Sequence, residues 1–227
     1  MARKDPRNTR RKIVTAAWKL FYEQGYDRTT VDQIILESGT SKGSFYHYFS
    51  GKDALLSSLS SLFDDKYEEL MQEIDPEMNS FDKLMLLNRE LFQVIEDTVS
   101  VDLMSRMYAT QLTTMGEKHL LDQGRTYYKL LRKISQEGQQ RGEIANTVSP
   151  AEFSRIYAMC ERALIYDWCI RGGEYSLAAY SADMLPKLLH YLRIPNKADH
   201  DVLTQQASPA CCVFDLFHCF SIVLFSK

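Results

Sequence analysis

Apolar positions recur with helical rather than strand spacing along most of the chain. Ile13, Ala16, Ala17, Leu20 and Phe21 fall at i, i+3, i+4, i+7 and i+8, and Gly25 stands where the left-handed residue that closes a helix is wanted. Thr30 ahead of Val31, with Gln33 three positions on, reads as a capping box, and Gly39 ends the short segment that carries Ile34 and Ile35. Ser41 can cap a third short helix reaching Phe49. Ser50 with Asp53 reads as a second capping box, opening a long fourth helix with Leu55, Leu59, Leu62, Phe63, Tyr67, Leu70 and Ile74 inward. From Lys52 to about Asp75 such a helix would span ~36 Å at ~1.5 Å per residue, enough for a rigid lever. After Asp75-Pro76 come periodic segments near 80–98, 101–113 and 117–141, the last stopped by Gly142. Ser149, Pro150 and Glu152 supply an N-cap, a first-turn proline and a glutamate for a helix running to about Arg171, closed by Gly172-Gly173. A final helix is expected over about 176–192, where Pro186 predicts a kink or a split. With no strand pair, repeat or hairpin signal, the pattern predicts an all-α fold of about nine helices.

Composition changes this picture little. Charge changes it more. The 227 residues are 45% apolar and 25% charged, which excludes a disordered, collagen-like or low-complexity chain. Residues 1–52 carry ten lysines and arginines against five acids, whereas 53–227 carry seventeen against twenty-five, so the anion-seeking part is the first quarter. The basic N-terminus runs into Arg10, Arg11 and Lys12 with no uninterrupted apolar core of a signal peptide, and no stretch of eighteen uncharged apolar residues exists to span a membrane. The five cysteines form no framework, and Cys160 and Cys169 sit in an apolar helical pattern; free thiols in the cytoplasm are expected.

Two short helices separated by a turn at Gly39-Thr40 fit a helix-turn-helix, whose second helix enters the major groove. That helix opens with Lys42, a donor suited to guanine edges, then small Gly43 and Ser44, then Tyr46, His47 and Tyr48. The arm Met1–Lys12, with six basic residues against one acid, suits phosphate contact or a minor-groove reach. The residues alone also fit, less well, a small helical subdomain with a solvated basic face.

Thr29-Thr30-Val31, Ile34, Gly39, the run Ser41–Phe49 and Lys52-Asp53-Ala54-Leu55-Leu56 closely resemble the DNA-binding domain of TetR/AcrR-family transcriptional regulators. The resemblance is strong over residues 9–56 and loose beyond. It implies a DNA-binding domain over 1–51, a helical ligand-binding and dimerisation domain over 52–194, and an extension over 195–227. Carried over position by position, it implies that Lys42, Gly43, Ser44, Tyr46 and His47 face bases or nearby phosphates, that Ser41 belongs to the same DNA-facing set, and that Thr29, Thr30, Tyr48 and Lys52 hold the DNA backbone. Phe45 and Phe49 would be core. Ile35 and Ser38 stand where the family usually has alanine, and Thr40 where it usually has an apolar residue. The implied partners are a double-stranded, near-palindromic DNA operator, a mostly hydrophobic small-molecule inducer and a second copy of the chain.

In the larger half, helix 150–171 carries two apolar stripes: Phe153, Tyr157, Cys160, Leu164 and Trp168, and Met159, Ala163, Tyr166 and Ile170. One face cannot bury both, so one stripe should meet the core and the other a partner. Helix 176–192 supplies Leu177, Met184, Leu185, Leu188 and Leu192, and the two helices paired with their two-fold copies would make a four-helix dimer interface. Phe63, Tyr67, Met104, Met107, Tyr108, Met115, Tyr127, Tyr128, Tyr157 and Trp168, with Glu161, are candidates for an adaptable apolar pocket in which the acid orients a cationic group; they fit filled core as well. The tail holds Cys211, Cys212, His218 and Cys219, but adjacent cysteines are poor metal-ligand spacing, and no metal or cofactor is expected. With no phosphate-binding loop, dinucleotide turn, nucleophile elbow or HExxH, no catalytic residue is expected either. The rival readings are an enzyme using the same pocket and a protein-interaction module without DNA.

Overall fold

The computed structural model describes residues 6–56, 58–113 and 118–195. Ten α-helices and two single 3-10 turns account for about three quarters of them. Among the described residues there is no strand, only one antiparallel bridge between Ile144 and Arg193.

The first three helices are α1 (Pro6–Gln24), α2 (Val31–Ser38) and α3 (Lys42–Tyr48). They pack through Ile13, Ala17 and Phe21 of α1 against Ile34 of α2 and Phe45 of α3, all at most 1% exposed. Side chains of this size contribute about 1.5–3 kcal/mol each when fully buried. The local chemistry follows the sequence closely. Thr30 Oγ1 accepts from the Gln33 amide at 3.3 Å while Gln33 Oε1 accepts from the Thr30 amide at 2.8 Å. Gly39, at φ 61°, closes α2 in the left-handed region, with the amide of Thr40 reaching back to the Ile35 carbonyl at 3.2 Å. The unusual Ser38 and Thr40 face one another here, their hydroxyls 2.8 Å apart. A polar clasp therefore closes the turn.

Of the basic arm, Pro6–Lys12 form the first turns of α1, and residues 1–5 lie outside the described residues. Three expectations are corrected. The long fourth helix is two pieces, α4 (Asp53–Leu56) and α5 (Leu59–Glu73). Around the junction the Trp18 indole donates to Ser58 Oγ at 3.1 Å, and Ser58 Oγ donates to the Leu55 carbonyl at 2.5 Å. The side chains of Leu59 and Leu62 lie outside the described residues. Asp53, placed in a capping box with Ser50, instead accepts a hydrogen bond from the Tyr26 hydroxyl. Finally, the segment 117–141 is a 3-10 turn at His119–Leu121 followed by α8 (Thr126–Gln140).

The remaining helices form one bundle. Central α6 (Ser80–Thr98) buries Phe81, Leu84, Leu87, Leu91, Phe92 and Ile95, and α5, α8 and α10 (Leu177–Leu188) pack around it. Helix α7 (Val101–Thr113) and α8 pack against α9 (Pro150–Ile170). The predicted cap of α9 is present, Ser149 Oγ accepting from the Glu152 amide at 3.2 Å. Pro186 lies inside α10, which runs unbroken through it to Leu188 before a 3-10 turn at His190–Leu192, so the helix does not split at the proline. The cysteine-rich tail lies outside the described residues.

Candidate nucleic-acid interface and ligand cavity

Helix α3 offers its outer face as a short row. Ser41 Oγ caps it by accepting from the Ser44 amide at 3.1 Å, and the φ/ψ of −95°/158° at Ser41 turns the chain out of the preceding loop. Phe45 is fully buried and Phe49 nearly so, which fixes the opposite face outward. Lys42, Gly43, Tyr46 and His47 are exposed, and Ser44 and Tyr48 are half-buried. A side chain added at Gly43 would meet nothing within 4 Å, so nothing inside this chain demands glycine there. Lys42 has only an exposed ion pair at 3.8 Å with Asp32. Thr30, exposed at the start of α2, adjoins this row in the helix-turn-helix.

Two of the expected phosphate-holding side chains do something else. Thr29 is 1% exposed; its hydroxyl donates to the Gly25 carbonyl at 2.8 Å and accepts from Gln24 at 3.2 Å. Burial removes it from the surface. Lys52 donates to the Tyr26 carbonyl at 2.8 Å and lies over the Tyr26 ring, 4.2 Å from its centroid. Both residues shape the loop that leads from α1 into α2.

The bundle encloses a second feature. A cavity of about 60 Å³ is lined by Phe63, Tyr67, Met104, Met107, Tyr108, Tyr127 and Glu161 from the expected set, and by Leu91, Phe92, Ile95, Leu120, Arg125, Ala158, Arg162 and Ile165 besides. Tyr128, Tyr157 and Trp168 are not in its wall: their polar atoms donate to the carbonyls of Leu120 at 3.0 Å, Leu84 at 2.8 Å and Tyr175 at 3.0 Å. Met115 lies outside the described residues.

Glu161 is 5% exposed, and both its oxygens are engaged, accepting from Asn88 at 2.8 Å and from the Tyr127 hydroxyl at 2.5 Å. Asn88 in turn accepts from Ser181. Burial pushes the Glu161 carboxyl above its ordinary range, opposed by hydrogen bonds from Tyr127 and Asn88 and by the charge of Arg162. The acid thus ties α6, α8, α9 and α10 together rather than standing open for a cation. Arg125 makes a largely buried pair with Asp64 at 2.8 Å. Asn88 and Ser181 went unnoticed in the sequence, although a polar residue at a core-facing position of an apolar stripe is the available signal; nothing in local sequence singles out Arg125 or Arg162.

Residues 13–59, which include α2, the turn and α3, match the model of the bacterial regulatory proteins of the tetR family. The chain carries the DNA-binding domain of the TetR family. It is 48% identical over 46 residues to an uncharacterized HTH-type transcriptional regulator in the lacX 3′ region of Lactococcus lactis subsp. lactis, 20% of this chain and 24% of that protein. It is 32% identical over 103 residues to the HTH-type transcriptional regulator AcrR of Shigella flexneri, 44% of this chain and 47% of that one. The chain's matches span about a fifth to a half of the lengths of the curated relatives. Over most of the chain the likeness to solved structures is one of fold. The crystal structure of Thermus thermophilus FadR, a TetR-family transcriptional repressor in complex with lauroyl-CoA, superposes with a TM-score of 0.62 at 20% identity, covering 90% of this chain and all of that one. No helix among the described residues is long and apolar enough to cross a membrane.

Proposed function

We propose that this chain is a ligand-responsive transcriptional repressor of the cytoplasm that binds a near-palindromic operator as a homodimer and is released by a small, mostly apolar molecule. Residues 1–51 bind DNA, and 52–194 hold the ligand and the dimer contact. The observation that carries the reading is the outer row of α3. Lys42, Gly43, Tyr46 and His47 stand exposed on a capped helix whose other side is locked into the core by Phe45, and the surrounding segment is the basic part of the chain. In this reading Lys42, Tyr46 and His47, with Ser41 and Ser44, reach bases and adjacent phosphates, Gly43 lets the backbone approach, and Thr30 and Tyr48 hold the sugar-phosphate chain. Thr29 and Lys52 act from behind by shaping the Tyr26 loop.

Dimerisation is supported by the second stripe of α9. Met159, Tyr166 and Ile170 are 57%, 53% and 65% exposed, and Tyr180, Leu188 and Tyr191 continue the apolar surface from α10 onward. Ligand response is supported by the cavity in the bundle and by the repressor fold it shares with a lauroyl-CoA complex. The relatives are named as regulators, and the reading assigns no enzymatic step. Selection of bound duplexes from a random pool, followed by footprinting, tests the proposal. Two half-sites centred about one helical turn apart, roughly 34–36 Å, or a multiple of it, support it; a pool that never converges on a sequence overturns it.

A further inference from the structure

The cavity is apolar except at a few places, and two of these stand apart: Tyr67, whose hydroxyl has no partner, and Arg162, which has no carboxylate partner. Tyr67 is 2% exposed and lines the wall, yet its hydroxyl is buried without a hydrogen bond. Native interiors seldom leave such a group unpaired. Its polar neighbours are occupied: Tyr127, whose ring lies 5.1 Å from that of Tyr67, donates to Glu161, and Arg125 is paired with Asp64.

Arg162 is the second. Its guanidinium hydrogen-bonds a neutral group, the Tyr128 hydroxyl at 3.0 Å, rather than a carboxylate, and Glu161, its neighbour in sequence, spends both oxygens on Asn88 and Tyr127. Position gives this residue its meaning. Tyr108, Leu120 and Arg162 line the inner cavity and also an outer groove of about 490 Å³, walled by Leu112 and Leu121 and, on the side assigned above to the dimer contact, by Met159 and Tyr166. Arg162 therefore stands where the inner and outer spaces meet, and Tyr67 lines only the inner one.

We propose that the site takes an oxygenated, anionic amphiphile. Its buried end carries a hydroxyl or carbonyl for Tyr67, its body is apolar, and its acidic group pairs with Arg162 at the mouth. Arginine suits this place because it offers a carboxylate or phosphate two parallel donors. A lipophilic cation is disfavoured, because the one acid of the cavity wall that forms no ion pair has both oxygens taken. The inner space holds only a few water-sized spheres, so the ligand enters by displacing side chains, and Met104 and Met107 in the wall are unbranched and adaptable. The consequence for DNA rests on the repressor reading above; binding itself does not.

The probes are the straight-chain acids from hexanoate to decanoate, their ω-hydroxy forms, and the matching alcohols and amines, titrated against the full chain by calorimetry. Acids are expected to bind more tightly than alcohols of equal length and amines not at all. The ω-hydroxy acids should exceed the plain acids, and that advantage should vanish in Tyr67→Phe. Arg162→Gln should weaken the acids about tenfold or more without weakening the alcohols, and Arg162→Lys should restore part of the loss. Amines binding as well as acids, no probe binding, or acids indifferent to Arg162→Gln in a variant with unchanged circular dichroism would each overturn the proposal. Adding each bound probe to operator-bound protein separates the two readings. An acid that binds but leaves DNA in place upholds the site and defeats the ligand-released repressor, whereas a cation that releases DNA does the reverse.

Discussion

Arg106 of α7 donates to Asp27 in the loop after α1 at 2.8 Å. The same guanidinium lies over the Tyr26 ring at 5.4 Å and pairs with Asp102 at 2.8 Å. Met104 and Met107, its near neighbours on α7, line the cavity. This contact joins the helix that would feel a ligand to the loop that Thr29 and Lys52 shape. With α4 and α5 separate pieces, we propose that coupling runs through this contact in place of the lever that a continuous helix from Lys52 to Asp75 would have supplied.

The pair is partly exposed, so Asp27→Asn should change stability by no more than about 1 kcal/mol. Its effect should fall on coupling. A compound that weakens operator binding by the wild type through about 1–3 kcal/mol of coupling should still bind Asp27→Asn but weaken its operator binding less. Titrations of ligand with and without operator measure this. Undiminished coupling in Asp27→Asn would take Arg106 out of the path.

Glu161 makes stability depend on pH in a particular direction. Burial raises this carboxyl above its ordinary 4.5, so the folded chain holds the proton more tightly than the unfolded one. Its contribution is most favourable below that value and declines as pH rises through the window between 4.5 and the raised folded value. Denaturant titrations across this range should show a steeper fall for the wild type than for Glu161→Gln, which has no proton to lose. Parallel profiles would mean that the carboxyl titrates normally.

Ala163 is exposed on α9 between Met159 and Tyr166. A glutamate there should leave the single chain folded, yet cost several kcal/mol once pressed without a partner into an apolar interface. In sedimentation the wild type should run as a dimer and Ala163→Glu as a helical monomer. A stable dimer would place the contact elsewhere.

What the sequence yields is set by distance along the chain. Caps depend on residues three positions apart, so Thr30 with Gln33, Ser41 with Ser44 and Ser149 with Glu152 are readable directly, as are the closing glycines at 25 and 39. The interruption before α5 is not readable, because Trp18 contacts Ser58 from forty positions away. The same holds for Asn88, which meets Glu161 across 73 positions and Ser181 across 93. At Thr29 and Lys52 the motif suggested phosphate contacts, and only the packing of Tyr26 and Gly25 shows where those side chains go. Cavity membership fails in the same way: Tyr127 and Tyr128 are adjacent, but one lines the space and the other turns its hydroxyl to Leu120.

The central claim is that α3 reads DNA bases, and equilibrium binding to a selected duplex and to a scrambled one, across salt concentrations, tests it most directly. The wild type should prefer the selected duplex, with affinity for both falling as salt rises. Lys42→Ala should lose about 1–3 kcal/mol on the selected duplex, with preference relaxed at one base position in each half-site, and change little on the scrambled one. Equal losses on both duplexes would reduce Lys42 to a phosphate contact, and a wild type that binds neither duplex would contradict the account outright.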